Sequence, residues 1–514
     1  MRSTIFIVSC SLLVCLLASA GQARELPPPG AQWSFGLVIG CNSTDDPEEV
    51  PLRYADDDSV QNARLLTQLG GPGGVILLTR LDAESKELFP QLSPAAPTKK
   101  AIGQAMRRLN KLMEYARQNG GVPVLYVFYS GHGDVENNEG YLRLEDGKFW
   151  RSDLLKLLKE SRASVNHVII DACKSYFMVY NRGAGGQRRP VSGNLLAGED
   201  KLPDNTGVFL STSSAADSHE WEAFGGGLFS HEVRSALRGA ADLNRDGTIT
   251  YQEAASFVWT ANSAVVNRRY RPVFYSRPPS SSAAGQDVLA KLDQAVGGWL
   301  KIGLEFSRHI YIEDQNGLRI ADLFPGDEQS VALLLPAQRP LFVRQTKTDQ
   351  EYELRTSGEE IQLSELTPSK MTVTRRGAEH VAFGKLFTRP FDQSALATYQ
   401  NHIAQMSETF KIRPQYTWLR RSLGLAAIGL GAVGGTCSSL AAWERKKVDS
   451  YTTGTERNDI NQRINRLNTA AITMYSLAGV ALASYLIWTF WPEDDVQLQF
   501  IPSDQPQLNL SLRF

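Results

Sequence analysis

Five short runs in the first half of the chain, 34–40, 74–78, 122–129, 165–170 and 207–211, are apolar along most of their length instead of at alternate positions. A strand with one wet face alternates, so such runs are expected in strands covered on both faces, as in a parallel sheet between two helical layers. Between them, 56–69 and 98–119 carry the helical period. The second has Thr98 as N-cap, Ile102, Met106, Leu109 and Met113 along one stripe, and Gly120 at its end. A third helix is expected from the cap Ser152. Residues 31–275 are therefore read as one α/β domain with a largely parallel sheet flanked by helices.

The remainder divides by composition. Residues 276–296 open on a proline- and serine-rich stretch that breaks both periods and reads as a linker. Residues 297–390 hold short strand-like segments at 308–312, 331–335, 340–345 and 352–355, a small β-rich, sandwich-like module with no catalytic constellation and no indicated ligand. A helix is expected over 392–410. Two long uncharged runs follow, 422–442 and 469–491, the second ending in the interfacial aromatics Trp488 and Trp491; both read as transmembrane helices. Gly431 and Gly435 form a GxxxG pair that lets helix backbones approach, so a two-helix hairpin is expected. The tail 492–514 carries strand-like runs at 496–501 and 508–514.

Residues 1–23 read as a signal peptide, with Arg2, an apolar stretch over 5–17 and a small-residue site at Ala18-Ser19-Ala20. The loop between the two spans carries Arg445, Lys446, Lys447, Arg457, Arg463 and Arg466, and Glu493, Asp494 and Asp495 follow the second span. The positive-inside rule puts that loop in the cytoplasm. Lys411, Arg413, Arg420 and Arg421 before the first span reduce this asymmetry, but an exported N-terminus gives the same orientation. The expected location is the cytoplasmic membrane with the large N-terminal region outside it, periplasmic in a Gram-negative source. With 54 Lys+Arg against 55 Asp+Glu the balance speaks against a nucleic-acid partner. The five cysteines, Cys10, Cys15, Cys41, Cys173 and Cys437, are too scattered for a disulfide framework.

Two of the apolar runs end in reactive residues: 124–129 leads into Ser130-Gly131-His132-Gly133-Asp134, and 167–170 into Asp171-Ala172-Cys173-Lys174-Ser175. The carboxyl ends of parallel strands form the ligand crevice, so the thiol and the imidazole are expected to face each other there as a nucleophile and its base. A lone cysteine is ordinarily a core residue. Together, at two strand ends and flanked by glycines and acids, the pair reads as catalytic.

Tyr129-Ser130-Gly131-His132-Gly133 and Asp171-Ala172-Cys173 resemble the two signatures of the caspase-like cysteine peptidases, in particular the metacaspase and bacterial orthocaspase branch. The resemblance covers roughly residues 33–276, under half of the chain. It implies a thiol endopeptidase acting on protein or peptide substrates, with Cys173 as nucleophile, His132 handling protons, and the N–H groups of Gly133 and Cys173 as oxyanion hole. It also implies cleavage after Arg or Lys, with Asp58, Ser130 and Asp171 lining the specificity pocket. Asp56 and Asp57 are read instead as acids of a first helical turn. The branch usually continues its nucleophile motif with His-Ser-Gly, whereas Lys174-Ser175-Tyr176 stands here; Lys174 either depresses the thiol pKa or points to solvent. The glycine-rich stretch 181–190 suits self-cleavage after Arg182 or Arg188, and an ordinary mobile loop equally well. The rival reading is a catalytically silent caspase-like scaffold that binds an envelope partner.

One further motif stands apart. Asp242, Asn244, Asp246, Gly247, Thr248, Thr250 and Glu253 match the spacing of an EF-hand loop, which would surround Ca2+ with the carboxylates, the Asn244 and Thr250 side chains and the Thr248 carbonyl. No organic cofactor is expected.

Overall fold

The computed structural model describes residues 28–43, 51–70, 73–137, 139–178, 202–211, 220–221, 224–265, 271–280, 287–327, 330–338, 340–346, 348, 350–355, 360–370, 385–411, 413–448, 454–490, 496–501 and 507–512. The signal-peptide segment and the 181–190 stretch lie outside them. Among these residues the chain forms two compact units, 1–403 and 404–514.

The first unit begins with strand β1 (Gln32–Cys41), helix α1 (Ala55–Leu69), β2 (Val75–Leu78), and helices α2 (Ala83–Leu88) and α3 (Lys99–Gln118). Next come β3 (Val122–Gly131), a meander of β4 (Gly133–Glu136), β5 (Glu139–Leu144) and β6 (Gly147–Trp150), α4 (Arg151–Glu160), β7 (Val165–Asp171) and β8 (Thr206–Ser211). The short pair β9 (Glu220–Trp221) and β10 (Gly226–Gly227) leads into α5 (Leu228–Ser235), β11 (Thr248–Thr250), α6 (Tyr251–Asn262) and β12 (Phe274–Arg277). The main sheet has the order β12-β8-β7-β3-β1-β2. Only β12 runs antiparallel to its neighbour.

The expected strands are all present, and alternate residues of β1 explain why they read as continuously apolar. Phe35, Leu37 and Ile39 enter the core under α3 and α4, while Val38 enters the opposite core with α1, α5 and α6. Each fully buried aliphatic or aromatic side chain of this kind contributes about 1.5–3 kcal/mol. Gly36 and Gly40 let α1 come close, since a Cβ on Gly36 would stand 2.8 Å from Leu66 Cδ1 and one on Gly40 would overlap the Ala55 carbonyl. α3 has its expected cap, the Thr98 hydroxyl accepting the Ala101 N–H at 3.1 Å. α4 starts one residue before the expected cap Ser152. The Asp153 carboxylate accepts the Trp150 N–H at 3.0 Å and closes the first turn in place of a serine cap.

The β-rich region consists of β13 (Val288–Lys291), β14 (Gly298–Ile302), β15 (Ile310–Asp314), β16 (Arg319–Leu323), β17 (Val331–Leu335), β18 (Leu341–Gln345), β19 (Gln350–Leu354), β20 (Glu360–Gln362) and β21 (Ser369–Lys370). β13, inside the stretch read as a linker, pairs with β11. The others form sheets of order β17-β14-β20 and β16-β15-β18-β19-β21. Leu300, Ile302, Ile312, Leu333, Leu335 and Val343 belong to the same hydrophobic core as Val38, Phe128 and Phe229, so this module is fused to the α5 face of the sheet.

Helix α7 (Gln393–Lys411) leads to α8 (Arg413–Lys447) and α9 (Gly454–Phe490), followed by the hairpin of β22 (Val496–Ile501) and β23 (Gln507–Leu512). Ser422–Lys447 and Gly454–Tyr485 are long and apolar enough to cross a membrane. The two helices pack together as a hairpin, with one glycine of the GxxxG pair at the contact. Tyr475 lies against Gly434 and its hydroxyl 3.8 Å from where a Cβ on Gly435 would stand, Tyr485 lies against Gly424, and a Cβ on Gly431 would meet nothing within 4 Å. Aromatic rings over glycines here replace a direct backbone approach.

Candidate active site

The register of the main sheet brings the two motifs to one edge. Ser130 of β3 pairs with Asp171 of β7, and Gly131 with Cys41 of β1, so the segments beyond these residues emerge side by side. The His132 segment lies directly against the nucleophile loop: a Cβ on Gly133 would stand 2.6 Å from the Cys173 carbonyl oxygen and 3.1 Å from Ala172 Cβ. Glycine is thus required at 133 by a backbone approach. The neighbouring Gly131 meets the Tyr129 hydroxyl, which donates to the carbonyls of His132 (2.8 Å) and Arg143 (2.7 Å), while the Arg143 N–H donates to the His132 carbonyl at 3.0 Å. Tyr129 and β5 thereby fix the backbone on which the imidazole is mounted.

Cys173 is half-buried in the turn after β7, and Lys174 takes a left-handed conformation (φ 54°). The Ser175 hydroxyl donates to the Ser211 carbonyl, tying this turn to β8. Lys174 Nζ binds Asp134 Oδ1 at 2.5 Å, which joins the nucleophile turn to the histidine segment. Burial acts to raise the Asp134 carboxyl, but the hydrogen bonds from Lys174 and the Val135 N–H, with the lysine charge, hold it below its ordinary value.

A second cluster lies behind Asp171. Its Oδ2 accepts the Ser230 N–H at 3.1 Å and the Ser230 hydroxyl at 2.7 Å, and the Ser130 hydroxyl is 3.5 Å from that of Ser230. Asp58 is buried, accepting the Gly227 N–H (2.8 Å) and Arg234 Nη1 (2.6 Å). A Cβ on Gly227 would come within 2.6 Å of Asp171 Oδ2 and 3.3 Å of Asp58 Oδ2, so both carboxylates flank β10. Burial pushes Asp58 up to about 7 against the pull of Arg234, and Asp171 adds repulsion. The three expected pocket residues are therefore gathered in one place. Sequence reasoning missed Glu220, Ser230 and Arg234. Glu220 accepts the N–H groups of Arg53 (3.3 Å) and Tyr54 (3.1 Å), and burial, with a contribution from Asp171, raises its carboxyl. Asp58 alone is bound to the buried Arg234 guanidinium, while Asp171 lies close enough to Asp58 and Glu220 to raise both carboxyls.

Asp56 and Asp57 stay outside this cluster. Asp56 accepts from Asn42 Nδ2 (2.6 Å) and the Asp82 N–H (2.9 Å), and Asp57 from the Ser85 hydroxyl (2.9 Å), holding loops around the start of α1.

The 242–253 loop has left-handed residues at Arg245 (φ 60°) and Gly247 (φ 75°) and continues into β11 and α6. Asp242 Oδ1 is buried without a hydrogen-bond partner, while its Oδ2 accepts the Gly247 N–H at 3.2 Å. Asn244 and Thr248 both donate to the Asp246 carboxylate, and Glu253 Oε2 accepts the Thr250 N–H (2.9 Å) and hydroxyl (2.8 Å), capping α6. Among the described residues no group of three or more His, Cys, Asp or Glu side chains is gathered as for a metal ion.

Residues 34–280 match the family model described as caspase domain. The match covers just under half of the chain, the stretch that holds the mostly parallel sheet and its flanking helices. No curated protein matches the chain. Among solved structures the chain is similar to pro-sf-caspase-1 (14% identity, TM-score 0.30, covering 50% of this chain and 94% of that one). It is also similar to caspase-1 from Spodoptera frugiperda (11%, 0.30, 50% and 91%) and to the Drosophila initiator caspase Dronc (8%, 0.28, 54% and 93%).

Proposed function

We propose that the chain is a membrane-anchored cysteine endopeptidase that cleaves after Arg or Lys through Cys173 and His132. The observation that carries this reading is the contact of Gly133 with the Cys173 backbone, which puts the two reactive segments at one sheet edge. In the proposed reaction the Cys173 thiolate attacks the scissile carbonyl, the N–H groups of Gly133 and Cys173 stabilise the oxyanion, and His132 delivers the proton to the leaving amine. Asp171 and Asp58, with Ser130 beside them, receive the basic side chain. Asp171 is the better placed for direct contact, because Asp58 is buried and already bound to Arg234. A peptidyl chloromethyl ketone ending in Arg should label the full chain at Cys173 faster than its Asp counterpart, as read by mass spectrometry of the peptide. Equal or reversed rates would refute the specificity.

Asp171→Asn removes the charge while keeping the contacts to Ser230. Losing a charge-assisted contact of about 1.5–3 kcal/mol should lower kcat/KM for Arg substrates roughly ten- to a hundredfold, with little effect on uncharged ones. A uniform loss across substrates would contradict the assignment.

Membrane anchoring rests on the two long apolar helices. A reporter inserted at 449–453 should be cytoplasmic and one placed after residue 491 extracytoplasmic. The inverse pattern would place the peptidase domain in the cytoplasm.

Calcium binding at the 242–253 loop is supported by its two left-handed turns and by the unpartnered Asp242 Oδ1. Asp242, Asn244, Asp246, the Thr248 carbonyl, Thr250 and Glu253 would supply the oxygens, Glu253 leaving its cap on α6 to do so. Millimolar Ca2+ should raise the thermal midpoint of the chain, and Asp242→Ala with Glu253→Ala should remove that increment. An unchanged midpoint would leave the loop a structural turn.

A further inference from the structure

We propose that Asp322, on β16 of the β-rich module, is a positioning residue for the specificity site, acting through His231 and Ser235 on α5. The proposal rests on the reading of Asp58 and Asp171 as the receptors of a basic side chain, and it gives the module a role in that site.

Asp322 is fully buried. Its Oδ2 accepts His231 Nε2 at 2.9 Å, its Oδ1 accepts His309 Nε2 at 2.7 Å and Arg319 Nη1 at 2.9 Å, and its N–H donates to the Ser235 hydroxyl at 3.1 Å. Asp322 thus grips α5 at two points one helical turn apart. The grip is electrostatically sound, because Arg319 compensates the buried carboxylate. Burial alone would raise Asp322, yet Arg319 and the two imidazoles hold it well below the ordinary range.

The same helix carries the groups that hold the specificity carboxylates. Ser230, adjacent to His231, donates from both N–H and hydroxyl to Asp171. Arg234, adjacent to Ser235, donates to Asp58, which also takes the Gly227 N–H just before the helix. A displacement of α5 therefore displaces both carboxylates together. The turn before β10 is held from both sides: the His231 ring of α5 stacks on Phe224 (3.9 Å between centroids, 15°), and Leu318 of the module fills the space where a Cβ on Gly225 would lie. His231 is neutral, since burial lowers it to about 4 against the opposing effect of Asp322, and its Nδ1 is unpartnered. A neutral imidazole donates from one nitrogen only, so the single bond to Asp322 fixes its tautomer.

The test uses the full chain and Asp322→Asn, which keeps the volume and removes the charge. Hydrogen exchange of the Gly227 and Ser230 amides should accelerate about tenfold or more while that of α3 stays unchanged, since local opening is confined to the released element. For Arg peptides KM should rise severalfold with a smaller change in kcat, and alkylation of Cys173 by iodoacetamide, which does not use the pocket, should keep its rate. Unchanged exchange at 227 and 230, or parallel acceleration in α3, would overturn the proposal. If Asp322→Asn does not fold, Leu318→Ala removes the support under Gly225 without touching the ion pairs and should produce the same local acceleration; no acceleration there overturns it too. The exchange result requires no peptide to be cut, whereas a wild-type chain that ignores Arg and Lys peptides refutes the proposed specificity and leaves the mechanical link to the exchange data.

Discussion

Cys173→Ala and His132→Ala are each expected to lower peptide hydrolysis by about 10^4-fold or more, the range seen when members of a nucleophile–base unit are removed singly. The thiol supplies the bond-forming electron pair, and the imidazole moves the proton without which the amine cannot leave. Neither does its task alone, so the double variant should be little worse than either single one. Folding should survive both changes. Cys173 is only half-buried in a surface turn, and the backbone of the His132 segment is held through its carbonyl by Tyr129 and Arg143. Appreciable turnover in either variant, with substrate specificity retained, would remove the dyad from the account.

The second large effect is on stability. Arg234→Met should destabilise the first unit by up to about 1.4 kcal/mol more at pH 8 than at pH 5, the cost of keeping protonated at pH 8 a buried carboxyl whose partnered pKa is about 7. Asp58 already has a folded-state pKa raised to about 7, above the ordinary value near 3.9, so its ionisation opposes folding as pH rises through that interval. Without Arg234 the folded pKa climbs further, and the penalty extends above pH 7. At pH 5 Asp58 is protonated in both folded proteins, so the difference in denaturation midpoint between wild type and variant should shrink. A difference that stays constant between pH 5 and pH 8 would mean that Arg234 contributes packing and not charge compensation.

How much of this was legible beforehand follows from the range of each interaction. The strands were legible because burial on both faces leaves a local mark, an unbroken apolar run such as 165–170, and the terminal helices because of their length. His132 and Cys173 were legible because each sits in a short motif at the end of such a run. Asp58 and Asp171 were found only through resemblance to a family, since an acid near a helix start or strand end has a local explanation as well. Glu220, Ser230 and Arg234 had no local signal. Each acts on a residue far away in the chain, Arg234 on Asp58 and Glu220 on the Tyr54 N–H. Asp322 was hidden for the same reason, and with it the fusion of the β-rich module to α5, because a proline- and serine-rich stretch looks like a boundary whether or not the flanking parts share a core. The GxxxG spacing permits a close approach without choosing which glycines the partner covers, and here Tyr475 reaches Gly434 and Gly435 but not Gly431.

The central claim is a Cys-His peptidase that selects basic residues. Its most direct test is the hydrolysis by the full chain of fluorogenic peptides that differ only in carrying Arg, Lys or Asp before the scissile bond, with Cys173→Ala as the blank. The account predicts turnover of the Arg and Lys peptides, little of the Asp peptide, and none above background in the variant. Preference for Asp, or equal signal from Cys173→Ala, would contradict it.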